Sequence, residues 1–264
     1  MSARWMVALT PLVAMAPVET TEPPAAAATR YRIESVSEQV VDLSGMGQPS
    51  QTTKINQLAI ISITLSDTVG GKVMHVSIDS IASDAPIADP SLDPSTAKGA
   101  WLHGLVDSWN RTKIVATSAD SNNAVAQIKN TMSRFLPVQK PGAKEGDSWT
   151  DTTQVSTNTP QQALKSTTVT TYTRGGAGPH AGQAAFQIKS TSATDGGGTM
   201  ENPMAGTMEV ALTSTGTEVF YVGSDGRYLG GESKSNGKSM IRIAVSPDPI
   251  PVTITAQTTV TILK

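Results

Sequence analysis

From Tyr31 onward the dominant period of the chain is two. In Tyr31-Arg-Ile33-Glu-Ser-Val36-Ser-Glu-Gln-Val40 and in Lys72-Val73-Met74-His75-Val76-Ser77-Ile78-Asp79-Ser80-Ile81, apolar and polar residues alternate over most of the run. A strand with one buried and one wet face requires this alternation. The run Leu58 to Leu65 (LAIISITL) is more continuously apolar and ends in Asp67-Thr-Val-Gly70-Gly71, which predicts a hairpin with residues 72–83 across the glycine turn. Ser83 to Pro94 carries three prolines and reads as loop. Further strands are predicted at 111–118, 147–157, 164–173, 183–194, 206–213, 217–223, 226–234, 238–246 and 252–263. The glycine runs Gly175–Gly182 and Asp195-Gly-Gly-Gly198, and the pair Asp225-Gly226, are expected as turns between them.

One segment changes period. Over residues 121–136, Val125, Ile128, Met132 and Phe135 share a stripe at helical spacing, with Asp120 or Ser121 as N-cap and Pro137 as the stop. An amphipathic helix packed on a sheet is expected there. Residues 137–146 (PVQKPGAKEG) form a turn-rich connector, and Asp147-Ser-Trp149 opens a second strand series. The expected fold is therefore mainly β, a β-rich α+β architecture of antiparallel sheets in two similar halves, 30–136 and 147–264. The halves superpose loosely: Val76-Ser-Ile78-Asp-Ser80 stands against Phe186-Gln-Ile188-Lys-Ser190, and Trp109 to Ile114 against Ser224 to Leu229. Two sheets facing each other across a groove or shared core would follow.

The N-terminus carries a different signal. Met1-Ser-Ala-Arg4 is short and basic, and Trp5 to Ala16 is apolar over the length of a signal-peptide core but too short to span a bilayer. Ala14-Met15-Ala16 fits a small-x-small cleavage pattern, which makes residues 1–16 a signal peptide, with Ala26-Ala27-Ala28 as the alternative site. Residues 17–29 form a Pro/Ala/Thr-rich, disordered spacer. Export to the bacterial periplasm or the extracellular space is expected.

Composition narrows the chemistry. The 264 residues include 20 Lys+Arg, 22 Asp+Glu and no cysteine. A charge near neutral supplies no footprint for nucleic acid. Without cysteine there are no thiolate zinc sites, iron–sulfur clusters, thiol nucleophiles or disulfides. Ser and Thr together outnumber the charged residues, and Thr suits half-buried pleated surfaces.

A β-rich first half, one amphipathic helix ending in Phe135-Leu136-Pro137, and a Pro/Gly link into Gly146-Asp147-Ser148-Trp149 resemble bacterial exported envelope proteins of the domain-of-unknown-function kind. In these a Leu-Pro segment and a Gly-Asp-x-Trp segment join two sheet-rich halves. The resemblance spans most of residues 30–264 and brings no catalytic residues with it. The chain is similar more distantly to periplasmic carriers that hold an acyl chain against a curved sheet.

Catalytic motifs are sparse. Gly-x-Ser-x-Gly is absent, and Ser-x-x-Lys occurs at Ser95–Lys98 and Ser235–Lys238 without a following Lys-Thr-Gly. His75, His103 and His180 lack metal-ligand spacing. Asp79, Asp84, Asp89 and Asp93 fail the EF-hand pattern and fit turns near proline. No cofactor or metal is expected. The expected function is non-enzymatic: a lipid or other hydrophobic small molecule held on a concave sheet, with Trp101, Leu105, Trp109 and Trp149 as ligand-binding candidates and Ile128, Met132 and Phe135 beside them. Two alternatives stand: a secreted hydrolase using Ser, His and Asp, and a surface adhesion protein pairing through an edge strand at Val252–Ile262.

Overall fold

The computed structural model describes residues 27–85, 93–119, 122–159, 162–202, 206–243 and 248–263. The expected signal peptide and nearly all of the spacer, and most of the proline-rich loop before Pro94, lie outside the described residues. Eleven strands follow in chain order: β1 (Thr29–Val41), β2 (Gln51–Thr68), β3 (Gly71–Ser83), β4 (Trp101–Val106) and β5 (Thr112–Thr117), then, after the helix α1 (Asn123–Met132), β6 (Ser148–Thr159), β7 (Gln162–His180), β8 (Gln183–Asn202), β9 (Gly206–Gly223), β10 (Tyr228–Ile243) and β11 (Ile250–Leu263). The protein is mainly β, and every neighbouring pair is antiparallel.

The strands form one sheet in the order β5-β4-β3-β2-β1-β11-β10-β9-β8-β7-β6. This differs from the expected pair of facing sheets. The first and last strands pair over their whole length, from Arg30↔Leu263 to Val41↔Val252, and join the two series into one. β11, expected as a free edge, lies between β1 and β10. Its ladder is satisfied on both sides, so strand addition there has no open partner.

The alternation read from the sequence sets the two faces. The register stacks Tyr31 on Ile61 and Ile262, Ile63 on Val76, Val76 on Leu102 and Phe220 on Ile188. These side chains line the inner face, and the odd-numbered partners of Val76 and Leu102, among them His75 and His103, point outward. The β2–β3 hairpin turns at Val69-Gly70, where Gly70 takes the positive φ that a two-residue turn needs.

The helix is shorter than its apolar stripe. It starts at Asn123 because the Asn122 side chain accepts from the amides of Ala124 and Val125. It ends at Met132 because Ser133 closes the last turn, its hydroxyl donating to Lys129 O at 2.9 Å. Val125 and Met132 are buried and Ile128 partly so, while Phe135, Leu136, Pro137 and Val138, through a turn and a bend, carry the buried stripe on into the interior. The sheet curls around the helix and this segment, and one apolar core gathers residues from β1 to β10.

Five elements differ from the sequence reading: β9 and β10 each run unbroken where two strands were expected, 206–213 with 217–223 and 226–234 with 238–246, and three further differences lie in β4, β7 and β8. β4 is an extra strand at Trp101–Val106. β7 runs through the glycines to His180, so the turn is only Ala181-Gly182. Asp195 to Gly198 lies inside β8, paired with both β7 and β9.

Candidate functional site

Along β6–β9 the inner face changes from apolar to hydroxylated. Trp149, Tyr172, Ile188 and Phe220 belong to the core. One pleat further on, the same inner positions carry Asp151, Thr170, Ser190 and Glu218, and then Thr153, Thr168 and Ser192. Opposite them stand Asn130, Thr131, Ser133, Arg134, Leu136 and Val138, from the end of α1 and the chain after it, with Asn110 and Arg111 before β5 and Thr112 at its start. Between the two walls lies a cavity of about 830 Å³.

Its polar groups are held by one another. Thr168 Oγ1 and Thr194 Oγ1 share a hydrogen bond across β7–β8 at 2.9 Å. Ser190 donates to Glu218 Oε2 at 3.1 Å. Burial raises the Glu218 carboxyl above its ordinary value, against the hydrogen bond from Ser190 and the charge of Arg134, which lower it. The Tyr172 hydroxyl is pushed up to about 12, first by burial and then by the charges of Glu218 and Asp151. The wall thus mixes apolar side chains with hydroxyl and charged groups, and Thr112 Oγ1 is a buried oxygen on it that the protein leaves unpaired among the described residues.

The four residues expected to bind ligand fall in different places. Trp149 is buried on the inner face, stacked on Tyr172 with centroids 5.8 Å apart. It is next to the cavity, behind the tyrosine that lines it. Trp109 is partly buried in the turn before β5, with the Arg111 guanidinium 4.8 Å over its ring. Trp101 and Leu105 alternate with buried Leu102 and Val106 and so face outward, 37% and 49% exposed. The fold separates them from the cavity by the thickness of the sheet. Met132 and Phe135 are core residues.

Period-two reading missed Arg134, Glu218, Thr168, Ser190 and Ser192. One signal was available: Glu218 shares the parity of Met208, Val210, Leu212, Phe220 and Val222, a lone acid on an otherwise apolar or small inner row.

No hydrolytic centre is assembled among the described residues. His75 and His103 face each other and Trp101 on the outer surface. His180 stacks on Tyr221 at 3.6 Å. No helix among the described residues is long and apolar enough to cross a membrane, which says nothing about strands.

No family model and no curated protein sequence matches the chain. Among solved structures it is similar to variants of the porin of Rhodopseudomonas blastica. Two of them are 11% identical, with a TM-score of 0.28, over 88% of this chain and all of that one. A third is 12% identical, with a TM-score of 0.29, over 89% of this chain and all of that one.

Proposed function

We propose that this chain is an exported, non-enzymatic binding protein of the bacterial envelope, periplasmic or extracellular, that holds an amphipathic small molecule on the inner face of its sheet. The observation that carries the reading is the cavity of about 830 Å³ at the boundary between the apolar core and the hydroxylated rows of β7–β9. Leu136, Val138 and Val155 offer apolar wall, where burial of ligand surface stabilises by about 25 cal/mol per Å². Thr168, Thr170, Ser192, Arg134 and Glu218 offer hydrogen bonds to a polar group at the same place. Residues 1–16 support export.

The test is native mass spectrometry of the mature chain purified gently from an expressing bacterium's periplasm, with extraction and lipid analysis of whatever accompanies it. A discrete added mass in the wild type that disappears in Thr170→Trp, a substitution that fills the cavity, is the expected result. A bare polypeptide mass in both proteins, after exposure to a total lipid extract as well, overturns the proposal.

A further inference from the structure

The outer face of the sheet brings two histidines together, away from the cavity. His75 on β3 and His103 on β4 are direct cross-strand partners. The Ile78 amide donates to Ala100 O at 3.0 Å. Hydrogen-bonded and non-hydrogen-bonded pairs alternate along an antiparallel ladder, so His75 and His103 occupy a non-hydrogen-bonded pair, where facing side chains stand closest. Their ring centroids are 4.7 Å apart. Trp101, on the same outward face, has its ring centred 4.8 Å from that of His103 and 6.3 Å from that of His75.

We propose that His75 and His103 chelate a divalent first-row transition ion, copper(II) in preference to nickel or zinc. The cross-strand register carries the argument, and the ring separation agrees with it. A metal–nitrogen bond of about 2.0 Å, added to about 1.15 Å from an imidazole nitrogen to its ring centre, puts each centroid about 3.2 Å from a bound ion. Two rings meeting at a right angle on that ion would have centroids about 4.5 Å apart, and at the tetrahedral angle about 5.2 Å apart. The separation of 4.7 Å lies close to the right-angle value. The rings now meet edge to face at 88°, so chelation requires both to turn about their side-chain torsions; the cross-strand register, which that rotation leaves unchanged, keeps the two imidazoles within reach of one ion.

Imidazole nitrogens suit copper, nickel and zinc alike, and the order of divalent affinities places copper above nickel and zinc. Both ligands stand on hydrogen-bonded strands, so little conformational freedom is lost on binding. No third histidine or carboxylate completes the set among the described residues. The remaining coordination positions face solvent.

The experiment titrates the full chain with copper, nickel and zinc chloride in a non-coordinating buffer, reading tryptophan fluorescence and copper electron paramagnetic resonance. One copper ion per chain is expected, with quenched tryptophan emission, nitrogen hyperfine structure from two imidazoles, and weaker binding of nickel and zinc. His75→Gln and His103→Gln each weaken copper binding at least tenfold, whereas His180→Gln leaves it unchanged; circular dichroism confirms that each variant is folded. Copper affinity that persists in the doubly substituted His75→Gln, His103→Gln chain, or that is lost in His180→Gln, overturns the proposal.

Discussion

Arg111 and Asp151 join the two free edges of the sheet. Arg111 precedes edge strand β5 and Asp151 lies on edge strand β6, at opposite ends of the strand order. The Arg111 Nε donates to Asp151 Oδ1 at 2.9 Å, and Nη2 lies 2.8 Å from the same oxygen. A second tie runs beside it, from the Gln139 amide to Trp109 O at 2.7 Å. The curl is thus closed by side chains and the connector rather than by a backbone ladder, and the gap between the edges is where the cavity opens.

The Asp151 side chain is 15% exposed and would lose its only cationic partner among the described residues in Arg111→Ala. With the guanidinium itself half in water, the expected loss of stability is about 1–2 kcal/mol. Urea denaturation of Arg111→Ala, Asp151→Ala and the double variant measures the pair; a coupling energy of zero would show that the edges close without it.

Phe135 anchors the chain that follows the helix. Its ring meets Tyr31 edge-on at 5.2 Å and Tyr228 at 5.3 Å, and it is 7% exposed. Phe135→Ala is expected to cost about 3–5 kcal/mol by emptying that space. Tyr31→Phe removes a milder contribution, the hydrogen bond from Tyr31 Oη to Tyr228 O at 2.9 Å. A loss of about 1 kcal/mol is expected there. Both values are read from chemical denaturation, and a Phe135→Ala midpoint equal to wild type would remove the segment's anchoring role.

Glu218 makes stability depend on pH. Burial raises its folded-state value above the ordinary 4.5. The folded protein then binds this proton more tightly than the unfolded chain. Its contribution is fully present below the unfolded value and is lost as pH rises through the folded one. Glu218→Gln keeps an acceptor for Ser190 and carries no charge. The variant is expected to be more stable than wild type near about pH 7, with the difference closing toward about pH 4. Urea midpoints across that range check the sign, and a constant difference would assign the effect to packing instead.

Gly197 allows β8 and β9 to approach. A Cβ built there would stand 2.5 Å from Val210 O and 3.4 Å from Ala211 Cα. Gly197→Ala is expected to destabilise by about 1–3 kcal/mol through backbone displacement. Gly178→Ala, whose Cβ meets nothing within 4 Å, serves as the control. Thermal unfolding that treats the two alike would count against the close approach.

The sequence by itself determined which residues share a face. Alternation placed Val76 and Ile78 opposite His75 and Ser77, and the Gly70 and Gly226 turns ended strands where a positive φ was needed. These are local properties, written in a period of two and in the conformational freedom of glycine. Alternation alone could not say which face is inside: Trp101 and Leu105 turned outward and Trp149 inward once Val125, Met132 and Phe135 had taken one side of the sheet. Glycine content likewise read as a turn at Asp195–Gly198, whereas these residues pair on both sides as strand and the backbones of β7 and β9 lie so close to Gly196, Gly197 and Gly198 that a Cβ there would clash. The tertiary structure also decided that β11 pairs with β1, a contact between the two ends of the chain that no local pattern encodes. Arg134 and Glu218 meet at the cavity for the same reason. Residues far apart in sequence are brought together by strand order and curl, which come from burying one common core rather than from any segment alone.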